Sequence, residues 1–178
     1  MNNNIIKLGD NNILREKIQL VKDFNNISEI IKNMENIIYQ NYAAGLAANQ
    51  IGINKQIIVI RNNENKLKSF INPKIVKSSK ILIAETESCL SIPLITGIVP
   101  RPKEIKIIYQ DINGKKNIET FCGFEARILC HEIDHLNGIV YLDKIINDKV
   151  LMYKTQEDTH GIIISSREIL NIFNEKKD

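Results

Sequence analysis

The chain has 178 residues, with 24 Lys+Arg against 21 Asp+Glu, a net charge of +3, 43% hydrophobic residues and three cysteines. This length supports a single domain, 1–178, whose core needs no disulfide staple, and the near-average composition excludes disordered, collagen-like and disulfide-scaffold chains. No run of about 18 apolar residues offers a membrane span, and a small, scattered cationic excess without tryptophan argues against nucleic-acid recognition, which needs a basic stripe or stacking platforms.

The opening segment, Met1-Asn2-Asn3-Asn4-Ile5-Ile6-Lys7, lacks the basic start and apolar core of a secretory signal. An odd number of cysteines without an export signal reads as reduced thiols in a cytosol. Apolar side chains at Ile27, Ile30, Ile31, Met34, Ile37, Ile38 and Tyr42 recur at helical spacing, predicting an amphipathic helix over 27–42. Asn26 or Ser28 can cap its start, with Glu29 placed for a capping box on Asn26. The small residues of Ala43-Ala44-Gly45-Leu46-Ala47-Ala48-Asn49-Gln50 then allow close backbone approach.

Short β-branched runs predict strands at 56–60, 81–84 and 105–109. Asp111-Ile112-Asn113-Gly114 reads as a hairpin turn with Asn-Gly at its centre, and 117–121 as the returning strand. Pro73, Pro93, Pro100 and Pro102 read as loop punctuation. Helical period returns over 124–137, with Phe124, Ile128, Leu129, Ile133 and Leu136 apolar and Gly138 placed to end it. A terminal helix over 166–173 would turn Ile169, Leu170 and Phe173 to one side. Strands not separated by crossover helices predict an α+β fold with mostly antiparallel sheets.

The strongest chemical signal is His131-Glu132-Ile133-Asp134-His135. Residues i and i+4 of a helix share a face, so two imidazoles can hold one divalent metal while Glu132 acts on a nearby water. The alternative is a helix that merely carries two histidines on its packed or solvated side. A third ligand is needed, and Cys89, Cys122, Cys130, His160 and the carboxylates are candidates. Cys130 points about 100° away from the metal face of the helix, which suits packing; Cys122 also suits packing, and His160 a surface turn. Cys89 sits in Glu85-Thr86-Glu87-Ser88-Cys89-Leu90-Ser91-Ile92-Pro93, where neighbouring carboxylates disfavour a free thiolate. It is either the third ligand or an inert buried thiol. Ala44, Ile92 and Ile128 are candidates to line an apolar substrate pocket, with ordinary core packing as the alternative for each. Glu87 and Arg101 are candidates to pair in support of the Cys89 segment, with Arg127 as the other candidate partner and two unrelated surface charges as the alternative; Asp134 is either a supporting group on the helix or a surface residue.

Gly45-Leu46-Ala47-Ala48-Asn49-Gln50, Glu87-Ser88-Cys89-Leu90-Ser91 and His131-Glu132-Ile133-Asp134-His135 together resemble the three motifs of the peptide deformylases, in that family's order. Val99-Pro100-Arg101-Pro102, Asp111-Ile112-Asn113-Gly114 and Leu136-Asn137-Gly138 are also similar. The resemblance implies an α+β fold in which the motif-bearing helix packs centrally against mostly antiparallel sheets. It implies Cys89, His131 and His135 as metal ligands, Glu132 as the acid/base, and Gln50 and the Leu90 N–H as donors to a developing oxyanion. It implies hydrolysis of the formyl group from N-formyl-methionyl peptides, with the peptide pairing strand-like along the Gly45 segment. It favours iron(II) as the single divalent ion, with zinc, nickel and cobalt as other occupants, and a bacterial cytosol with the ribosome as a further partner. Two positions depart from the family pattern: Ala43 stands where glycine is usual, which would strain a positive-φ backbone, and Thr96 lies in the stretch before Arg101 where many members carry an arginine.

Overall fold

The computed structural model of the chain describes residues 6–8, 11–152 and 162–169. Its first helix, α1 (Ile27–Gln40), buries Ile27, Ile31, Met34, Ile37 and Ile38 along one stripe, as the 3.6-residue spacing requires. Burial of each such side chain stabilises by roughly 1.5–3 kcal/mol. The expected capping box does not form: Asn26 is left-handed, φ 61°, and its side chain caps nothing.

Strands β1 (Gly45–Ala47), β2 (Ile57–Arg61), β3 (Leu67–Ser78), β6 (Glu104–Gln110) and β7 (Lys116–Cys122) form a five-stranded sheet in the order β1-β2-β3-β6-β7. Strands β4 (Leu82–Cys89), β5 (Ile92–Pro102), β8 (Val150–Met152) and β9 (Ile162–Ile164) form a second sheet in the order β4-β5-β8-β9. Each pairing whose register is resolved is antiparallel. Among the described residues no helix is long and apolar enough to cross a membrane.

The second long helix, α2 (Gly123–Leu136), buries every residue from Ala126 to Leu136. Its apolar side chains Ala126, Ile128, Leu129, Ile133 and Leu136 share a core with Ile58, Ile60, Phe70, Ile105, Ile107 and Phe121 of the large sheet. A separate core joins α1 to Ile57, Val59 and Ile71 on the opposite face of that sheet. A third lies under the small sheet, around Ile92, Ile95, Val99 and Tyr141. A helix enclosed on all sides must give each polar side chain a partner, and α2 carries Arg127, His131, Glu132, Asp134 and His135 in its buried stretch.

Two long strands run through segments that sequence punctuation marks as loop. In β3, Asn72 adopts φ 52° beside a register shift, and its amide bonds to both the N–H and C=O of Val21 (2.8 and 2.9 Å) and to Gln110 Oε1 (2.7 Å). Asn72-Pro73 is thus a side-chain-stapled bulge inside a strand. In β5, β8 pairs only with Ile95–Gly97. Around Pro93, Pro100 and Pro102 the strand therefore keeps a side where a missing N–H costs no ladder bond.

The β6–β7 hairpin also departs from expectation. Gly114 alone is left-handed, φ 78°, and its N–H donates to Asp111 O at 2.9 Å. That is a turn closed by a left-handed glycine, and Asn-Gly is not a two-residue primed turn. Cys130 packs in the α2 core, but Cys122, expected to pack, is exposed. Helix is present at 166–169, while the rest of the expected terminal helix and His160 lie outside the described residues.

Candidate metal centre and active-site cleft

A cleft of about 660 Å³ opens between the two sheets, with α2 at its floor. Ala44 and Gly45 line one wall, Glu87, Cys89, Leu90 and Ile92 the other, and Ile128, His131 and Glu132 the base. Every residue expected to bind substrate (Ala44, Gly45, Ile92 and Ile128) reaches this space. Gly45 is required by proximity: a Cβ there would lie 2.7 Å from Ile128 Cγ2 and 2.8 Å from Glu132 Oε1. The neighbouring left-handed residue is Tyr42, φ 51°, and Ala43 is not among the positive-φ positions, so alanine there carries no such strain.

The helix turn between positions 131 and 135 sets the two imidazoles edge to face, with ring centroids 4.9 Å apart and 75° between their planes. The end of β4 brings Cys89 to them. Its Sγ lies 3.3 Å from His135 Nε2, and one ligand atom from each of Cys89, His131 and His135 falls within 4.8 Å of the others. Cys122 and Cys130 are not in this group. All three members are buried.

Supporting contacts fix the orientation of each member. His131 Nδ1 meets Glu87 Oε2 at 3.0 Å, which leaves Nε2 to face Cys89. Glu87 also accepts from Arg101 Nε and Nη2, both at 2.9 Å, and from Arg127 Nη1 at 2.7 Å. Both arginines considered from sequence therefore hold the same carboxylate. Arg101 Nη1 bonds Asp134, which also accepts from Lys144 Nζ at 2.7 Å. The Tyr141 ring stacks on His131 at 5.9 Å between centroids and 23° between planes, and Asn49 Nδ2 donates to His135 O at 2.8 Å. The bond from Glu87 to His131 and the contacts of Tyr141 and Asn49 were not foreseen. In sequence Glu87 is a candidate arginine partner, and its place two residues before Cys89, on the same face of the strand, is the signal that sets it beside the histidines.

Gln50 is also held on both ends. Its Oε1 accepts from Ala47 N–H at 2.8 Å, which turns Nε2 toward Ser91 Oγ (3.2 Å) and Cys89 Sγ (3.4 Å). Among the described residues, Glu132 Oε2 and His135 Nδ1 are buried and find no hydrogen-bond partner. Buried polar atoms are rarely left unmet, and Glu132 faces the cleft.

Electrostatics separate the titratable groups. Burial alone would raise Glu87, but hydrogen bonds from His131 and Arg101 outweigh it and hold the carboxyl at about 2. Burial disfavours charge on His131, yet hydrogen bonds to Cys89 and Glu87 lift it well above its ordinary value. His135 is pushed well below, by burial first and then by the charges of His131 and Arg101. Burial raises Glu132 to about 7 against the pull of His131, with Glu87 adding to the rise. A carboxyl poised near neutrality suits proton transfer in both directions.

A thiolate and two imidazoles form a donor set suited to zinc, iron(II), cobalt or nickel, and three protein ligands match a catalytic rather than a closed structural site. The convergence of these donors and the unmet carboxylate beside them fit a divalent ion with a reacting water.

The family model described as Polypeptide deformylase matches residues 2–150. The peptide deformylase of Thermoanaerobacter pseudethanolicus is 43% identical over 141 residues, covering 79% of this chain and 87% of that protein. That of Caldanaerobacter subterraneus is 43% identical over 161 residues, covering 89% and 95%. Among solved structures, peptide deformylase from Plasmodium falciparum superposes with a TM-score of 0.76 at 39% identity, covering 80% of this chain and 87% of that one. The enzyme from Synechococcus elongatus in complex with actinonin gives 0.77 at 35% identity, covering 80% and 79%.

Proposed function

The chain belongs to the polypeptide deformylase family, and from that premise we propose how its own residues carry the family's reaction. It is a metal-dependent hydrolase that removes the N-formyl group from nascent N-formyl-methionyl peptides and releases formate. The observation that carries the residue assignment is the approach of Cys89, His131 and His135 donor atoms to within 4.8 Å beside the buried Glu132.

Cys89, His131 and His135 would hold the divalent ion, and iron(II) is the ion proposed. When bound, such an ion supplies Lewis acidity, polarising a carbonyl and acidifying water. Glu87 orients His131 through Nδ1. Glu132 takes a proton from the attacking water as oxygen bonds to the formyl carbon. It then delivers that proton to the amine nitrogen as the C–N bond breaks, leaving formate and a free methionyl terminus. Such acid/base assistance is worth on the order of 10²–10⁴ in rate. Gln50 Nε2 and the Leu90 N–H donate to the oxyanion, each worth roughly 3 kcal/mol in acyl transfer. The orientation of the Gln50 amide, set by Ala47 N–H, supports this role.

Substrate selection follows from shape. A formyl carbon bears only hydrogen beyond its oxygen and nitrogen, so a narrow site beside Glu132 admits it and excludes an acetyl methyl. The methionine side chain enters the apolar space by Ala44, Ile92 and Ile128, and the peptide backbone runs strand-like along Gly45. The whole of 1–178 is read as one such domain. Because formylated chains arise on the bacterial ribosome, that ribosome and a bacterial cytosol are its proposed setting.

The test compares formyl-Met-Ala with acetyl-Met-Ala, for the parent and for Glu132→Ala. Formate release from the formyl peptide alone, with Glu132→Ala retaining metal but losing at least a hundredfold in kcat, is the expected result. Unchanged turnover in Glu132→Ala would overturn the assignment.

A further inference from the structure

The face of the large sheet turned away from α2 is only partly covered. There α1 packs on Ile57, Val59 and Ile71, and leaves the outer half, built by β3, β6 and β7, open. The register of these strands lays that half out in rows. Gln110 stands beside Lys116; Lys74 beside Ile108 and Ile118; Lys77 beside Lys106 and Thr120; Glu104 beside Cys122. Except for the half-buried Gln110, these side chains are exposed.

Four lysines against one carboxylate give this half-face an excess equal to the net charge of the whole chain, +3. Lys80, Lys103 and Lys115 extend it at its rims. Among the described residues, none of these seven lysines makes an ion pair, whereas Lys66, Lys68 and Lys144 do. Lys77 and Lys106 are direct cross-strand partners. Like charges placed directly opposite one another destabilise a sheet, so folding gains nothing from this pair. An external anion would offset the repulsion.

We propose that this face docks the protein on the sugar–phosphate backbone of double-helical RNA. Cations roughly 5–7 Å apart on a sheet match a polyanion of closely repeated charge. The residues of these rows include no aromatic ring on which to stack unpaired bases, so the face reads backbone rather than sequence. The exposed Thr120 offers a neutral hydrogen-bonding group to ribose hydroxyls, whereas the Gln110 amide is already engaged by Asn72 and the Gly114 carbonyl. An anionic membrane is the weaker fit: peripheral insertion uses an amphipathic helix with bulky apolar residues, and here the apolar groups are the β-branched Ile108 and Ile118 of a sheet. The choice of RNA also rests on the reading of the substrate as a nascent peptide, made on an RNA-rich machine. Because β1 lies at the other end of the sheet order, the docked protein keeps its cleft free.

The experiment measures binding of the full chain to a fluorescent RNA duplex of about 16 base pairs, between 50 and 200 mM salt. With four lysines engaged, log K falls against log salt with a slope of about −3 to −4. The double variant Lys77→Glu/Lys106→Glu loses at least tenfold in affinity and about 2 from the slope. Lys66→Glu, on the β2–β3 turn, binds as the parent does. Both variants release formate from a short formyl-Met peptide at the parental rate, which shows that they fold. Parental RNA affinity in the double variant would overturn the proposal. So would binding to phosphatidylserine vesicles with none to RNA, which would mark a membrane face. A parent that binds RNA in this way yet releases no formate would overturn the deformylase reading and leave the RNA surface standing.

Discussion

Replacement of Glu87 by glutamine keeps the shape of the side chain and removes the one negative charge shared by Arg101, Arg127 and His131. The loss can be gauged in two ways. Glu87 is 6% exposed, and breaking a buried, hydrogen-bonded ion pair by removing one partner costs about 3–5 kcal/mol. Separately, lowering its pKa from 4.5 to about 2 corresponds to roughly 3 kcal/mol of stability at neutral pH. The two agree near 3 kcal/mol, or roughly 6–12 °C in Tm for a domain of this size. The sign follows from the direction of the shift. Because the folded pKa lies below the unfolded one, the contribution is complete above about pH 4.5 and fades as the pH falls through about 2. Parent and Glu87→Gln should therefore differ most near neutrality and converge in strong acid. Urea unfolding of metal-stripped protein at several pH values reads this as a lower midpoint at unchanged m. Chelator competition should show a 10–100-fold loss of metal affinity as His131 loses its orienting partner. An unchanged midpoint together with unchanged metal affinity would refute the claim that Glu87 is the keystone of this network.

Removal of the metal by a chelator should abolish formate release and lower Tm, with both recovered on adding iron(II), nickel, cobalt or zinc; activity surviving full removal, checked by elemental analysis, would contradict a metal-dependent reaction. Gly45→Ala should lower kcat/KM at least tenfold, because the new Cβ meets Ile128 and the Glu132 carboxylate at 2.7 and 2.8 Å; steady-state kinetics decide this. At Glu119, burial alone would raise the pKa, but hydrogen bonds from Lys68 and Tyr109 more than offset it and the value is lowered. Its stabilising contribution should be present above about pH 4.5 and fade in acid, so Glu119→Gln should narrow the difference in Tm between neutral and acidic buffer.

Local chemistry made part of this protein readable from the chain alone. The stripe from Ile27 to Ile38 and the i, i+4 spacing of His131 and His135 depend on one helix each and took the predicted form, whereas Tyr42, placed on the same stripe, lies past the end of α1 and is exposed. The β-branched run at 105–109, the Asp111-Ile112-Asn113-Gly114 turn and the returning 117–121 likewise marked a hairpin, because strand propensity and turn chemistry lie in consecutive residues. Features whose meaning lies in a distant partner escaped. Asn72-Pro73 reads as a turn until Val21 and Gln110 arrive to hold its bulge, and β5 reads as loop until β8 leaves its prolines a free side. Residue types near Cys89 raised the pairing of Glu87 with an arginine, but only the packing of β4 against α2 decided that both arginines and His131 meet on that one carboxylate. The lysines are dispersed along the sequence, and antiparallel register gathers them on one face. Helical and strand periods are properties of consecutive residues, whereas coordination, proton affinity and surface charge depend on distances between residues far apart in the chain. Those distances exist only once the two sheets have closed around α2.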